Sequence, residues 1–243
     1  MIKKHLLQSI IQKYYLGIPE VVSVKWAIEG KDLTINFMTP NKDVIGKVSY
    51  SNFDLEECDL IIYDTKKLLG LVNICDQDLM LETEGMGLLN TKLTISDSNY
   101  TLIYTLSDPL LVNKVGKAKT STEWEAELKL DIDNVTHLIK AENAVPESNN
   151  LIVSTEKDLC KFTFGDESGH SNKIIYQIPG TITEEDLSIP FDSNMFKMVL
   201  SANKDMKEGK LLLAGGGLMK LEFESEDGVF SEYFVIRQTE TSF

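Results

Sequence analysis

The order of predicted helices and strands occurs twice along the 243 residues of the sequence. Each half is predicted as helix, four strands, helix and three strands, and the second half has one additional strand at its start. Similar peptides stand at equivalent places, DLIIYD at 59–64 before the second helix and DLSIPFD at 186–192 before the fourth. Such a recurrence predicts two duplicated domains, one at 1–108 and the other at 123–243.

The segment between the two halves has the composition of a connector. Residues 107–122, SDPLLVNKVGKAKTST, contain Pro109, Gly116 and three lysines, with Asp108 as the single acidic residue. We therefore predict an extended interdomain connector at 109–122. Few helices stand among many closely spaced strands, which indicates an α+β fold with antiparallel sheets, because parallel strands need longer crossovers.

Four amphipathic helices are predicted, at about 3–15, 65–73, 134–143 and 193–203. The residues that precede the last three helices and are predicted to cap them are Asp64, Asp133 and Asp192. The apolar stripe of the first helix consists of Leu6, Leu7, Ile10, Ile11 and Tyr14.

The net charge of −14 argues, taken alone, against nucleic-acid binding, because an acidic surface repels phosphate. The charge is unevenly distributed, since the first acidic residue is Glu20 and Lys3, Lys4 and Lys13 precede it. A small basic set in an acidic chain fits two interpretations, a local anion-facing surface or an ordinary solvated helix.

The motifs of common enzyme and metal sites are missing from the sequence. The three histidines, His5, His137 and His170, are far apart, and there is no CxxC, P-loop or GxSxG motif. A single arginine, Arg237, argues against arginine-clamped phosphoryl transfer. We therefore predict a protein that is not an enzyme and uses no metal or cofactor. A scattered carboxylate site stays open as an alternative.

The N-terminus and the cysteines predict a cytoplasmic protein. The segment MIKKHLLQSIIQKYY lacks a small-residue cleavage site, so we interpret it as an amphipathic helix and not a signal peptide. No apolar run is long enough to span a membrane. The three cysteines, an odd number, are typical of reduced thiols that act as small hydrophobic residues.

Four stretches carry a resemblance to one family. They are DLIIYDTKKLLGLVN at 59–73, SDPLLV at 107–112, IPFDSNMFKMVLSANKDMKEGKLLL at 189–213 and the C-terminal run that ends in Phe243. In these stretches the sequence resembles the sliding clamps of T-even-like bacteriophages, which are DNA polymerase processivity factors. Order and spacing fit over nearly the full length, whereas the N-terminal helix matches only in pattern.

The resemblance implies a DNA-clamp fold with two similar domains per subunit, helices lining the inside of a homotrimeric ring and antiparallel sheets outside. Such a ring encircles duplex DNA without sequence specificity and tethers the replicative DNA polymerase topologically, after an ATP-dependent clamp loader has placed it on DNA. The implied location is the cytoplasm of a bacterial host. The sequence departs from the family in charge, because its helices have few lysines. The alternative function is a β-rich, oligomeric phage virion or assembly protein.

The resemblance also implies three sets of site residues. The lysines expected to face DNA, for which a solvated helix face is the alternative, are Lys3, Lys4, Lys13, Lys66, Lys67, Lys140, Lys197 and Lys204. The residues expected to line a groove for a partner's terminal peptide, unless they only pack the connector, are Leu110, Leu111 and Val112. The residues expected at the subunit interface, in edge strands near 100–105 and 174–178, are Tyr100, Leu102, Tyr104, Ile174, Tyr176 and Ile178.

Overall fold

The chain folds into two units. The computed structural model describes residues 1–18, 23–76, 78–86, 89–111, 115, 123–165 and 172–238. The first unit comprises Met1–Gly116 and Asp227–Ser231, and the second comprises Lys117–Glu226 and Glu232–Phe243.

The first half of the chain contains eight strands and two helices within its described residues. In order they are β1 (Ile2–Lys3), α1 (Lys4–Tyr15), β2 (Val24–Glu29), β3 (Asp32–Met38), β4 (Val44–Ser51), β5 (Cys58–Ile62), α2 (Thr65–Ile74), β6 (Asp78–Met86), β7 (Leu89–Ser96) and β8 (Thr101–Thr105). A short 3₁₀ turn, Pro109–Leu111, follows β8.

The second half contains nine strands and two helices in the residues that the structure describes. In order they are β9 (Ala126–Leu130), α3 (Ile132–Asn143), β10 (Asn150–Glu156), β11 (Leu159–Phe164), β12 (Ile174–Pro179), β13 (Thr181–Ile182), β14 (Ser188–Asp192), α4 (Ser193–Ala202), β15 (Met206–Ala214), β16 (Leu218–Ser225) and β17 (Phe230–Ile236).

The strand order within the sheets repeats from one unit to the other. The first unit contains the orders β1-β6-β7-β8 and β5-β2-β3-β4, and the second contains β9-β15-β16-β17 and β14-β10-β11-β12. Among β1–β16, neighbouring strands within these four orders pair antiparallel, as predicted. One detail of the prediction was wrong, because both units begin with a strand. The first of these strands, β1, has two residues and pairs with Leu79 and Asp78 of β6, too short to give a sequence pattern.

The two similar peptides of the sequence occupy equivalent places. Each forms a strand, β5 or β14, and ends in an aspartate that caps the following helix. The Asp64 carboxylate accepts the backbone N–H of Lys67 (2.8 Å), and the Asp192 carboxylate accepts that of Met195 (2.8 Å). The cap predicted for α3 was wrong, because this helix begins two residues earlier. Its cap is Asp131, in a reciprocal capping box with Asn134.

Each unit buries the apolar faces of its helices with aromatic residues of its strands. In the first unit, Trp26 is fully buried and meets Tyr14 of α1 and Phe53 edge-on, with centroid distances of 6.5 Å and 6.0 Å. In the second unit, Phe162 of β11 stacks on Phe196 of α4 at 6.0 Å. Truncating a buried aromatic residue of this kind costs about 3–5 kcal/mol, so these contacts fix the helices on their sheets.

Candidate nucleic-acid interface

The four helices are basic, although the chain is acidic. They contain six lysines and two carboxylates, against a net charge of −14 for the whole chain. The six lysines are Lys4, Lys13, Lys66, Lys67, Lys140 and Lys197, and the two carboxylates are Asp133 and Glu142. In the described part of the chain, the acidic residues lie almost entirely on strands and loops. The helix faces are therefore the surfaces least repulsive to a phosphate backbone.

Five of the eight lysines predicted to face DNA are solvent-exposed. They are Lys3, Lys66, Lys67, Lys140 and Lys204. Exposure is what a contact with phosphate requires, but the contact itself stays a prediction. The other three lysines, Lys4, Lys13 and Lys197, interact with groups of the protein itself.

Lys13 corrects the prediction, because its side chain is only 1% exposed. It lies between Ile10 and Tyr14 in a buried face of α1 that is wider than the predicted apolar stripe. A buried ammonium group needs a partner within the protein, and Lys13 is engaged in such an interaction. The prediction that Lys13 faces DNA was therefore wrong.

Lys4 ties α1 to the end of α2. Its Nζ donates hydrogen bonds to the carbonyl oxygens of Asn73 (2.8 Å) and Cys75 (2.6 Å). Gln8, one turn further along α1, donates to the Asn73 side-chain oxygen at 2.6 Å. The last carbonyls of a helix lack intrahelical partners and form the negative end of its dipole, so the Lys4 ammonium stabilises α2 where it ends.

Lys197 plays the corresponding part in the second unit. Its Nζ lies 2.7 Å from Oε2 of Glu142, whose side chain is only 6% exposed, and 3.4 Å from Oδ1 of Asn143. It thus ties α4 to the end of α3 and neutralises a buried carboxylate. Lys4 and Lys197 have structural roles that the lysine pattern of the sequence did not show.

Lys67 belongs to an aromatic cluster at the start of α2. Its Nζ donates to the Tyr63 hydroxyl at 3.2 Å and lies 5.9 Å from the centre of that ring. Tyr63 in turn stacks on Tyr104 of β8, with a centroid distance of 5.3 Å. The Tyr104 hydroxyl accepts the backbone N–H of Asp64 (2.9 Å) and donates to the carbonyl oxygen of Asp64 (3.1 Å). Burial raises the pKa of Tyr104, so the hydroxyl keeps its proton and its donor role.

A second tyrosine reaches the start of α3. Asn134 donates its side-chain N–H to the Tyr176 hydroxyl of β12 at 3.1 Å. The ring of His137 stacks on Tyr176 with a centroid distance of 5.5 Å, and its Nδ1 lies 2.7 Å from the carbonyl oxygen of Asp133. Strands β8 and β12 are thus each connected to the first turn of a helix.

Strand β8 lies at the end of its sheet. The alternation of its hydrogen bonds to β7 identifies the residues whose backbone groups face outward. Leu106, just after the strand, donates its N–H to the carbonyl oxygen of Thr91 at 2.8 Å. Antiparallel bonding alternates along a strand, so the even-numbered residues of β8 direct their backbone groups toward β7. The backbone groups that point away from the sheet belong to Thr101, Ile103 and Thr105, which are all exposed.

Strand β12 lies at the end of its sheet too. Gly180 donates its N–H to the carbonyl oxygen of Asp158 at 2.9 Å, which places the even-numbered residues of β12 in bonds to β11. The outward backbone groups belong to Ile175 and Gln177, and Pro179 ends the edge because it has no N–H.

The predicted interface strands therefore lie at sheet edges. Most of the predicted side chains, however, belong to the alternate residues of these strands, whose side chains face the interior of the unit and whose backbone groups bond to the neighbouring strand. Tyr104 and Ile178 are 1% and 2% exposed and belong to the interior of their units. Leu102, Ile174 and Tyr176 are half-buried and share this inward phase. Of the predicted set, Tyr100 is exposed, just before β8. Pairing of these edges between subunits stays a prediction.

The turn that leads into β8 is fixed by Asp97. Its carboxylate accepts hydrogen bonds from the backbone N–H groups of Asp76, Asn99 and Tyr100, the last two at 2.8 Å and 2.7 Å. These bonds, that from Asp76 first, hold the pKa of Asp97 below its usual range. They connect the start of the edge strand to the loop that follows α2.

The predicted partner groove is only partly covered by the structure. Leu110 is 91% exposed, in the 3₁₀ turn whose start is fixed by a 2.8 Å hydrogen bond from Leu110 N to the Asp108 carboxylate. Val112 lies outside the described residues, and the side chain of Leu111 is not described. The groove stays a prediction.

Neither a metal cluster nor a membrane-spanning helix occurs in the described ranges. No three His, Cys, Asp or Glu side chains converge there in a way that could hold a metal ion. None of the helices is long and apolar enough to cross a membrane. Cys58, Cys75 and Cys160 are free thiols, and burial raises the pKa of Cys160 to about 12, which makes it a poor nucleophile.

The fold that carries these helices and edge strands is that of the sliding clamps. The proliferating cell nuclear antigen (PCNA) of A. fulgidus, solved with the C-terminal region of FEN-1 bound, aligns with a TM-score of 0.80 at 15% identity, covering 99% of this chain and 98% of that chain. The PCNA2–PCNA3 complex of Sulfolobus tokodaii gives 0.77 at 10% identity, with 98% of each chain covered. PCNA of Entamoeba histolytica gives 0.75 at 12% identity, covering 98% of this chain and 96% of that chain.

These likenesses confirm the predicted α+β DNA-clamp fold. No protein-family model and no curated protein matches the chain by sequence. None of the three structures is from a phage, so the resemblance to T-even-like phage clamps in particular stays a prediction. The alternative of a virion or assembly protein receives no support from them.

Proposed function

We propose that the protein is a DNA polymerase processivity factor, a homotrimeric clamp that encircles duplex DNA and is not an enzyme. The observation that carries the proposal is the segregation of charge within a clamp fold. Six of the chain's lysines and only two of its carboxylates lie on the four helices, in a chain of net charge −14. In this fold the helices would line the channel, so the basic faces would meet DNA and the acidic sheets would repel it.

Retention on DNA is topological in this proposal. Few exposed lysines lie at the helices of each subunit, so phosphate neutralisation alone gives weak and salt-sensitive binding. A closed ring holds the polymerase near its template by linkage and keeps its effective concentration high. Lysine suits a sliding surface, because its mobile, hydrated ammonium lacks the rigid fork with which arginine reads guanine.

The ring closes, in this proposal, through the free edges of β8 and β12. The outward backbone groups of Thr101, Ile103 and Thr105 on one subunit meet those of Ile175 and Gln177 on the next. Unpaired strand edges are ready templates for pairing with another chain, and a rotation that closes gives a ring. A closed ring of identical subunits satisfies every such edge, and the resemblance to phage clamps gives the number of subunits as three.

The proposed partners follow from a closed ring. Since the ring has no opening, an ATP-dependent loader is needed to place it on DNA in the host cytoplasm. The replicative polymerase would dock by a short terminal peptide near Leu110, whose exposed side chain offers an apolar contact. A. fulgidus PCNA has been solved with the C-terminal region of FEN-1, which supports peptide docking as a mode for this fold.

The subunit count tests the proposal. Light scattering on concentrated protein should give three times the subunit mass, and negative-stain images should show a ring with a central hole. A monomer at high micromolar concentration, or a compact particle without a hole, would contradict the proposal.

A further inference from the structure

The two units differ in the charge of their helices. In the first unit, α1 and α2 contain four lysines and no carboxylate. In the second unit, α3 and α4 contain two lysines and two carboxylates. Lys13 is buried, and Glu142 is buried and paired with Lys197. The exposed charges of the helices are therefore Lys66 and Lys67 in the first unit, against Lys140 and Asp133 in the second.

The exposed groups sharpen this difference. At the helices of the first unit, Lys3, Lys66 and Lys67 are exposed. At those of the second unit, Lys140 and Lys204 are exposed, but Asp131 and Asp133 at the start of α3 and Asp205 beside Lys204 are exposed too. Lys204 adjoins Asp205 and Lys140 shares α3 with Asp133, which weakens their attraction for phosphate. Lys3 also lies beside exposed carboxylates, Asp76 and Asp78. Lys66 and Lys67 are thus the exposed helix lysines whose own helix has no carboxylate.

The positions of the lysines along their helices add an independent argument. Lys66 and Lys67 occupy the first turn of α2, directly after Thr65, where the positive end of the helix dipole disfavours cations. Lys140 lies in the last turn of α3, where the dipole favours a cation, so this lysine stabilises the helix whether or not it contacts DNA. The helix dipole therefore explains Lys140 but opposes Lys66 and Lys67, of which Lys67 also contacts Tyr63.

We infer that the first unit holds the DNA, through phosphate contacts of Lys66 and Lys67 supported by Lys3, while the helices of the second unit only bound the channel. The inference rests on the proposed function and deepens it. In a ring of three subunits, the duplex is held by three of the six domains. The sugar–phosphate backbone is the ligand, without preference for sequence.

Two charge-reversal variants test the inference under matched conditions. Lys66→Glu with Lys67→Glu, and Lys140→Glu with Lys204→Glu, change the net charge equally, so general repulsion is the same in both. The probe is a fluorescently labelled 30-base-pair linear duplex, which can thread through a closed ring, and the readout is its anisotropy at low and rising salt. Circular dichroism and light scattering check folding and subunit count.

The first-unit variant should lose about 10-fold or more in affinity at low salt, and its slope of log affinity against log salt should fall by about 5, because two lysines are lost from each of three subunits. The second-unit variant should stay within about 3-fold of wild type. Loss of folding stability cannot explain a larger loss of affinity in the first-unit variant. Glutamate in the first turn of α2 favours the helix, whereas glutamate in the last turn of α3 does not.

Two outcomes overturn the inference, and they are distinguishable. Equal losses in both variants, or a larger loss in the second-unit variant, leave the clamp proposal intact but remove the assignment to the first unit. A wild-type protein that shows no salt-dependent binding to the duplex removes the phosphate contacts of both units, whereas the clamp proposal itself is overturned by the subunit count and not by this assay.

Discussion

The two edge strands are each tied to a helix, but by different chemistry. In the first unit, the buried Tyr104 of β8 bonds both backbone groups of Asp64, the residue that begins α2. In the second, the half-buried Tyr176 of β12 bonds a side chain, that of Asn134, and stacks on an exposed histidine. A bond to the backbone fixes where the helix begins, whereas a bond between side chains can break while the helix stays in place. Strand β8 is therefore the more firmly anchored edge.

The edges also differ in length. Strand β8 presents the backbone groups of three residues, Thr101, Ile103 and Thr105, whereas β12 presents those of Ile175 and Gln177 before Pro179 removes a donor. Because β12 presents fewer outward backbone groups, it limits the number of hydrogen bonds that pairing between subunits can form. Substitutions at the centre of either edge should therefore have large effects.

The largest effect is expected from Ile103→Pro. Proline removes the outward N–H of β8, while the bonds of the even-numbered residues to β7 do not use this group. The variant should be monomeric at concentrations where the wild type is a trimer, measured by light scattering. Ile103→Thr, which keeps the N–H and a β-branched side chain, should remain a trimer.

A folded Ile103→Pro variant that still forms trimers would show that β8 is not the interface. Circular dichroism distinguishes this outcome from loss of the fold. Ile175→Pro provides an independent test of the opposite edge, since its N–H points away from β11.

A smaller effect is expected from removing the two tyrosine hydroxyls. Tyr104→Phe leaves the part-buried backbone N–H of Asp64 without this partner, while the Asp64 carbonyl oxygen keeps its hydrogen bond from Leu68 N–H (3.0 Å). The substitution should lower the free energy of unfolding by about 1–3 kcal/mol. Tyr176→Phe removes one neutral hydrogen bond at a half-buried site and should cost about 1 kcal/mol or less. Urea unfolding of both variants measures the difference. Equal costs would contradict the distinction between the two edges.

The fold was predicted from the sequence because the order of helices and strands is duplicated along the chain, and the resemblance carried by four stretches agreed with that order. The sequence predicted the caps Asp64 and Asp192, which stand at the end of a repeated peptide. It misplaced the cap of α3, because three residues, Asp131, Ile132 and Asp133, offer two capping side chains and only the backbone decides between them.

The site was predicted less completely, for reasons of geometry. The resemblance predicted strands that lie at sheet edges, but the direction of the backbone groups of β8 is set by backbone hydrogen bonds, from Leu106 to Thr91 and from Asp97 to Tyr100, which no side chain reveals. Lys4 and Lys197 look like surface lysines in the sequence, because the partner of Lys4 is a pair of carbonyl oxygens and Glu142 is distant along the chain. Lys13 was assigned to the surface because the buried face of α1 is wider than the apolar stripe in its sequence.

Retention on circular and linear DNA tests most directly whether linkage holds the protein on its template. The clamp is loaded with its matching loader and ATP onto circular duplex DNA, which is then cut once or left intact, and the bound fraction is measured after gel filtration. We expect retention on the circle, release after cutting, and retention again when both ends of the cut DNA are blocked by bulky proteins. Equal retention on circular and unblocked linear DNA would contradict the encircling clamp, because direct contacts and not topology would then hold the protein.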